Sequence, residues 1–242
     1  MRFGSLFAGI GGLDLGLEAS GMECVWQVER DEYCQRVLAR HWPEVPRFGE
    51  VGECGSHNLE PVDLICGGFP CQPVSAAGRR GGVDDERWLW PEFARIIRDL
   101  RPRWVVGENV TGLLSANAGG AMGEILGDLA SCGYDAVWDV FPAGGPSGVG
   151  APHRRERVFI VAHTNAEGLQ GQRRQHSEGG SAGQRVTGSG GIAVEGGWFP
   201  EPSVGRVANG VPSRVDRLKC LGNAVVPQVA RGIGRQIMRA DG

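Results

Sequence analysis

The sequence lacks the features that mark membrane proteins, secreted proteins and proteins that are basic overall. Its 242 residues contain no apolar run near the roughly 18 residues that a membrane-spanning helix needs. The N-terminus enters a strand-like pattern without the basic region, long apolar stretch and cleavage site of a signal peptide. The net charge is -3, so a nucleic-acid partner would have to bind a local basic surface. These absences predict a soluble, cytoplasmic protein.

The cysteines lack the regular spacing of a disulfide framework. There are seven, at positions 24, 34, 54, 66, 71, 132 and 220, and no CxxC pair occurs among them. Free cysteines are usually buried and behave as small apolar residues. We therefore expect reduced thiols and no metal site.

Short apolar runs alternate with amphipathic stretches over residues 1–162. Strand character is found at residues 3–8, 24–29, 63–68, 104–108, 136–140 and 157–162, and helical spacing at 12–20, 31–41, 91–100 and 121–132. This alternation predicts an α/β fold, in which helices cover both faces of a mostly parallel sheet. Such folds bind ligands beyond the carboxyl ends of their strands, so functional residues are expected just after each strand.

The composition changes after residue 162. Residues 163–200 contain ten glycines and few large apolar residues, which predicts a loop-rich or partly disordered insertion. Apolar periodicity returns at residues 214–238, where Pro227 stands in the first turn of a predicted helix. We therefore predict a catalytic domain at 1–162, a Gly-rich, loop-like region at 163–213 and a C-terminal segment at 214–242 that returns to the catalytic domain.

A glycine-rich turn, FAGIGG at residues 7–12, joins the first strand to its helix. Such a turn lets the backbone approach a ligand and presents helix N–H groups to it. Glu29 ends the second strand, where nucleotide-binding α/β folds place the acid that binds ribose hydroxyls. Taken alone, the turn also suits NAD or a purely structural role, and Glu29 is equally well a surface residue beside Arg30 and Asp31.

Three further motifs carry reactive or charged groups. Cys71 follows the predicted strand at 63–68 in GGFPCQP (67–73), and a thiolate on a rigid turn is a candidate nucleophile, although most free cysteines are inert. Glu108 ends the predicted strand at 104–108 in GENV (107–110), where an enclosed carboxyl group can act as a general acid. HRRER (153–157) sends Arg155 and Arg157 to one side of the last strand, although a solvated charge run would have the same pattern.

Five motifs in this order, FAGIGG, GGFPCQP, GENV, HRRER and GNAVVPQ (222–228), resemble those of the DNA cytosine-5 methyltransferases. The resemblance covers nearly the whole chain except about residues 163–200. It implies the Rossmann-like fold of enzymes that use S-adenosyl-L-methionine (SAM), with Phe7 on the adenine and Glu29 on the ribose. By this resemblance, the SAM-binding residues are Phe7, Gly9, Gly11, Glu29, Glu50, Asn223 and Val225.

The same resemblance implies a catalytic set of Cys71, Glu108, Arg155 and Arg157. Cys71 would attack C6 of cytosine, Glu108 would donate to N3, and Arg157 would hold O2 with support from Arg155. Because C5 and C6 cannot be reached inside a stacked duplex, the cytosine must flip out of double-stranded DNA. Residues 75–90, rich in glycine, would then close over the flipped base.

The chain departs from the family pattern in length and at two positions. Residues 163–221 stand where the family usually has a substantial target-recognition domain, so we expect a reduced recognition region of the phage or prophage type, in a monomer. His153 stands where the family usually has Gln, and Ala77 where some relatives have a polar residue. The basic residues that could contact phosphates are Arg206, Arg214, Arg217 and Lys219.

Three alternatives to a DNA methyltransferase remain open. The glycine turn and Glu29 also suit a dinucleotide oxidoreductase, which would leave Cys71 and Glu108 unexplained. A non-catalytic or decayed DNA-binding relative would explain the short recognition region but not the intact Cys71 and Glu108. One branch of the family applies the same chemistry to tRNA cytosine.

Overall fold

The computed structural model describes residues 1–70, 88–164 and 213–242. In these ranges the chain forms a seven-stranded sheet with the order β3-β2-β1-β4-β5-β7-β6. The strands are β1 (Arg2–Leu6), β2 (Glu23–Val28), β3 (Arg47–Phe48), β4 (Leu64–Gly68), β5 (Trp104–Val110), β6 (Tyr134–Pro142) and β7 (Glu156–Thr164). The helices are α1 (Gly12–Glu18), α2 (Glu32–His41), α3 (Trp90–Leu100), α4 (Gly120–Ser131), α5 (Arg214–Asn223) and α6 (Pro227–Asp241). None of these helices has the length and apolar content to cross a membrane.

The sheet is mostly parallel, which confirms the predicted fold class. Strands β1 to β5 pair in parallel, and β7 runs antiparallel between β5 and β6. Each of the six predicted strands and four predicted helices occurs, with ends within two residues of the prediction. The sequence did not reveal β3, because two residues are too few to show a period.

Alternate residues of the central strands enter two separate cores. Leu64 of β4 and Val106 of β5 pack in the core formed with α1, α2 and α6. Ile65 and Val105, their neighbours in sequence, pack in the core formed with α3 and α4. All four side chains are buried, as expected for strands of a sheet that is covered by helices on both faces.

Glycines allow α6 to pack closely on α1. A Cβ atom at Gly16 would overlap with Ala230 and with the carbonyl oxygen of Pro227. A Cβ atom at Gly12, at the start of α1, would overlap with the carbonyl oxygen of Val225. The C-terminal helix therefore lies against the helix that follows the glycine turn.

Candidate active site

The glycine turn after β1 has a left-handed backbone. Phe7, Gly9 and Gly11 have φ angles of 53°, 57° and 82°, a region that glycine adopts freely and that other residues enter at a cost. A Cβ atom at Gly11 would overlap with the ring of Trp42, whereas one at Gly9 would meet no atom of the described residues within 4 Å. Among these residues, the turn is therefore closed at Gly11 and open at Gly9, where a ligand can approach the backbone.

Glu29 lies directly after β2 and braces this turn. Its carboxylate accepts hydrogen bonds from the backbone N–H groups of Gly9 and Asp31, both at 2.8 Å. Asp31 in turn caps α2, because its side chain accepts from the N–H groups of Tyr33 and Cys34. Each Glu29 oxygen keeps a lone pair beyond these bonds, so the half-buried carboxylate can also accept from the hydroxyl groups of a ligand.

The other predicted SAM-binding residues lie around the same edge of the sheet or in the C-terminal motif. The half-buried ring of Phe7 packs edge-to-face on Phe93, with 6.3 Å between ring centroids. Glu50 is exposed two residues after β3. Val225 is buried with its backbone against Gly12, and Asn223 is exposed at the end of α5.

Glu108 is a buried carboxyl group near the carboxyl end of β5, with 7% of its surface exposed. Its Oε1 forms an ion pair with Arg157, 3.1 Å from Nε. The same oxygen accepts no hydrogen bond from the described part of the chain. Burial raises the pKa of Glu108 to about 7, although the positive charges of Arg157 and Arg155 act to lower it. Desolvation therefore outweighs the two arginines, and Glu108 can hold a proton near neutral pH.

The two predicted arginines make different contacts. Arg157, within β7, ion-pairs with Glu108. Arg155 precedes β7 with a strained φ angle of 28°, and its guanidinium donates to the carbonyl oxygens of Gly222 at 2.8 Å and Ala224 at 2.5 Å. Arg155 thus joins the start of β7 to the C-terminal motif, while its positive charge still acts on Glu108.

Several predicted residues lie outside the described ranges. These include Cys71, Ala77, nearly all of the predicted closing loop at 75–90, and Arg206. Among the other predicted phosphate contacts, Lys219 forms an ion pair with Asp31 at 2.9 Å.

Asn109 is a buried polar residue to which the sequence had assigned no role. Its Nδ2 donates to the carbonyl oxygen of Phe69 at 3.1 Å, two residues before Cys71 in sequence. On the same segment, a Cβ atom at Gly68 would lie 2.9 Å from Oε2 of Glu108. The end of β4 that leads to Cys71 therefore passes beside the Glu108 carboxyl group. The available signal was the position of Asn109 next to Glu108 in the GENV motif.

The sheet order and the glycine turn after its first strand define an α/β protein with a Rossmann-like fold. The chain belongs to the C-5 cytosine-specific DNA methylase family, whose sequence model matches residues 1–185. The resemblance found in the five motifs is thus confirmed.

Named relatives agree with this membership. The chain is 36% identical over 162 residues to the type II methyltransferase M.DsaV of Dactylococcopsis salina, covering 66% of this chain and 45% of that protein. It is 33% identical over 171 residues to the type II methyltransferase M.HhaI of Haemophilus parahaemolyticus, covering 70% of this chain and 51% of that protein. Among solved structures, a DNA modification methyltransferase encoded within an E. coli prophage matches with a TM-score of 0.58 and 28% identity, covering 68% of this chain and 47% of that one. The chain thus spans about half the length of the curated relatives it matches.

Proposed function

We propose that the chain transfers a methyl group from SAM to C5 of a cytosine flipped out of double-stranded DNA. The observation that carries this proposal is Glu108, a buried carboxyl group with a pKa raised to about 7, beside Arg157 and the strand that leads to Cys71. A protonated carboxyl group can donate to N3 of cytosine, and a guanidinium can donate to O2. The type II methyltransferase relatives support a restriction-modification, phage or prophage setting.

The groups around the glycine turn fit SAM. No described residue fills the space beside the backbone of Gly9, Glu29 offers carboxylate lone pairs for the ribose, and Phe7 offers a half-buried ring for the adenine. When bound, SAM supplies the methyl group as an electrophile. The remaining proposed SAM contacts are Gly11, Glu50, Asn223 and Val225.

Cys71 is the proposed nucleophile and forms a covalent bond to C6 of the flipped cytosine. The electrons of the C5–C6 double bond then make C5 nucleophilic, while donation from Glu108 to N3 stabilises the charge that develops on the ring. Arg157 binds O2, and Arg155 supports this arrangement by holding the C-terminal motif. Loss of the C5 proton after methylation restores the double bond and releases Cys71.

The positions of the motifs divide the chain into three segments with different proposed roles. Residues 1–162 form the SAM-binding catalytic domain, residues 214–242 complete it, and residues 163–213 supply a reduced recognition region. The close contact of α6 with α1 supports the second of these assignments.

The central test is transfer of a labelled methyl group from SAM to duplex DNA by the full chain and by a Cys71→Ser variant. We expect the variant to lose turnover by at least about 10³-fold while its SAM affinity stays within twofold, because a hydroxyl is a far poorer nucleophile near neutral pH. Cys132→Ser, which alters a buried thiol at the end of α4, is the matched control and should keep its rate. Near-normal methylation by Cys71→Ser would show that Cys71 is not the nucleophile.

The same assay separates the alternatives. If the labelled methyl group appears in tRNA but not in duplex DNA, the chain is a tRNA cytosine methyltransferase. SAM binding without transfer to either substrate would favour a non-catalytic relative, and binding of NADH but not SAM would favour an oxidoreductase. Bisulfite sequencing of DNA from cells that express the chain would identify the methylated sequence.

A further inference from the structure

Two buried thiols outside the proposed active site lie close together. Cys34 of α2 and Cys220 of α5 are 186 positions apart in sequence, yet their Sγ atoms are separated by 3.1 Å. Each residue has 6% of its surface exposed. A disulfide bond has an S–S length of about 2.05 Å, so each sulfur atom would need to move by only about 0.5 Å. The pair could not be recognised in the sequence, because 186 positions separate its two members.

Asp31 lies beside the two thiols, so the cluster has the composition of a partial metal site. Its carboxylate, however, is already engaged: Oδ2 accepts from Nζ of Lys219 at 2.9 Å, and Oδ1 caps α2. The ammonium group of Lys219 holds the pKa of Asp31 below its usual range. Two thiolates on tetrahedral zinc would lie about 3.8 Å apart, farther than the observed separation. The geometry therefore favours a bond between the sulfur atoms over a shared metal ion.

Burial disfavours a charged thiolate at Cys34. Burial raises the pKa of the Cys34 thiol, and its contact with Cys220 raises it further. The Cys34 thiol is therefore neutral in the reduced protein, and the disulfide that would replace it is neutral as well.

We propose that Cys34 and Cys220 form a dithiol site that a small-molecule disulfide oxidises to an intramolecular disulfide. With oxidised glutathione, one thiol attacks the glutathione disulfide and releases one glutathione thiol. The second protein thiol then displaces the other glutathione. The protein loses two electrons and two protons, and two molecules of reduced glutathione leave.

The cross-link would secure a helix that few side chains hold. Cys220 is the one buried residue among those of α5 whose side chains are described, and the apolar residues Val215, Leu218 and Leu221 are exposed. Among the described residues, α5 is held to the core by the Cys34 contact, the Lys219–Asp31 ion pair and the bonds from Arg155. A disulfide here joins α5 covalently to α2, whose start is braced by Glu29.

To test this proposal, the full chain is treated with oxidised glutathione, and the remaining thiols are then blocked. Disulfide-linked peptides are identified by mass spectrometry without reduction. We expect a Cys34–Cys220 peptide in the wild type and in the equally buried Cys132→Ser control, and its absence in Cys34→Ser and Cys220→Ser. Thermal unfolding and hydrogen exchange follow in a Cys71→Ser background, so that oxidation of the proposed nucleophile does not contribute. Oxidation should raise Tm by about 5 °C or more and slow exchange of the α5 amides about tenfold, and dithiothreitol should reverse both changes.

Two results would overturn the proposal. One is mixed disulfides with glutathione at other cysteines without any Cys34–Cys220 peptide. The other is retention of one zinc ion per reduced chain that is lost in both single variants, which would make the cluster a metal site. Neither readout depends on methyl transfer, so the outcome is independent of the proposed function.

Discussion

At the scale of single residues, surroundings decide the chemistry of the buried carboxyl groups. Burial raises the pKa of Glu108 to about 7, beside two arginines. Burial also raises the pKa of Asp14 to about 6, but hydrogen bonds from Gln27 and Ser5 lower it and engage its oxygens inside the core. Asp14 therefore stabilises the packing of α1 on the sheet, whereas Glu108 has an oxygen without a hydrogen bond in the described residues and can serve a substrate.

The raised pKa of Glu108 makes stability depend on pH. Between the ordinary pKa of 4.5 and about 7, the folded state keeps a proton that the unfolded state releases, so stability falls as pH rises through this window. Glu108→Gln lacks this dependence. We expect the stability of the variant relative to the wild type to rise between about pH 4.5 and about pH 8, measured by urea unfolding.

The same variant should lower the methylation rate by about 10²-fold or more, the scale of a lost general acid. Glu23→Gln, which alters an exposed carboxylate at the start of β2, is the matched control and should leave rate and pH dependence unchanged. A Glu108→Gln rate within a factor of about two of the wild type would mean that another group serves N3.

Arg155 holds the C-terminal motif through a bidentate contact that lysine cannot reproduce, because an ammonium group lacks the planar fork of a guanidinium. We expect Arg155→Lys to weaken SAM affinity by about tenfold and to raise the KM for SAM more than it lowers kcat. Isothermal titration and steady-state kinetics measure the two effects. Arg154→Lys, at a side chain that is 85% exposed, is the control, and equal SAM affinities of the two variants would contradict the role of Arg155.

At the scale of elements, the packing of α1 against α6 determines where the C-terminal motif lies. The seven residues of α1 lie against α6 through Gly16, and the chain just before α6 lies against Gly12. A helix this short has little stability of its own, so its position depends on tertiary packing. The glycines allow the backbone of Val225 to reach the glycine turn.

Gly16→Ala should force α1 and α6 apart, because the added Cβ atom would overlap with Ala230 and Pro227. We expect a loss of about 1–3 kcal/mol in the free energy of unfolding. Gly123→Ala on α4, where a Cβ atom meets nothing within 4 Å, is the control and should gain about 0.5–1 kcal/mol from helix propensity. Similar unfolding midpoints for the two variants would show that the close approach of α6 is not required.

At the scale of the whole molecule, the chain spans about half the length of its curated relatives. All five motifs that resemble the family occur in it, and the resemblance predicts a reduced recognition region at residues 163–213. To recognise a DNA sequence, a protein must place a few side chains at the edges of the bases. Arginine contacts to the phosphates increase affinity for DNA but do not distinguish one sequence from another.

Deletion of residues 179–191 tests whether the Gly-rich region contributes to recognition. We expect the deletion to spare SAM affinity and thermal stability, because the cost of loop closure changes slowly with length. It should nevertheless abolish methylation or spread it over new sequences, as read by bisulfite sequencing. An unchanged pattern and rate would move recognition to residues 198–219.

The sequence by itself determined the class of fold and the membership of the family. Strand and helix positions follow from local apolar periods, and the FAGIGG turn follows from the backbone freedom of Gly9 and Gly11. The position of Glu29 directly after the second strand could be predicted from local apolar periodicity, whereas its role at the ribose stays a prediction. Each of these signals comes from residues that are close together along the chain.

Only the tertiary structure decided which distant groups meet. The pKa of Glu108 results from burial opposed by Arg157 and Arg155, and neither the extent of burial nor the arginine distances can be read from a linear pattern. The partners of Arg155 lie 67 and 69 positions away, and Cys34 lies 186 positions from Cys220. The antiparallel direction of β7 likewise depends on pairing with β5 across the sheet. Contacts of this kind follow from how helices and strands pack together, which local periodicity does not encode.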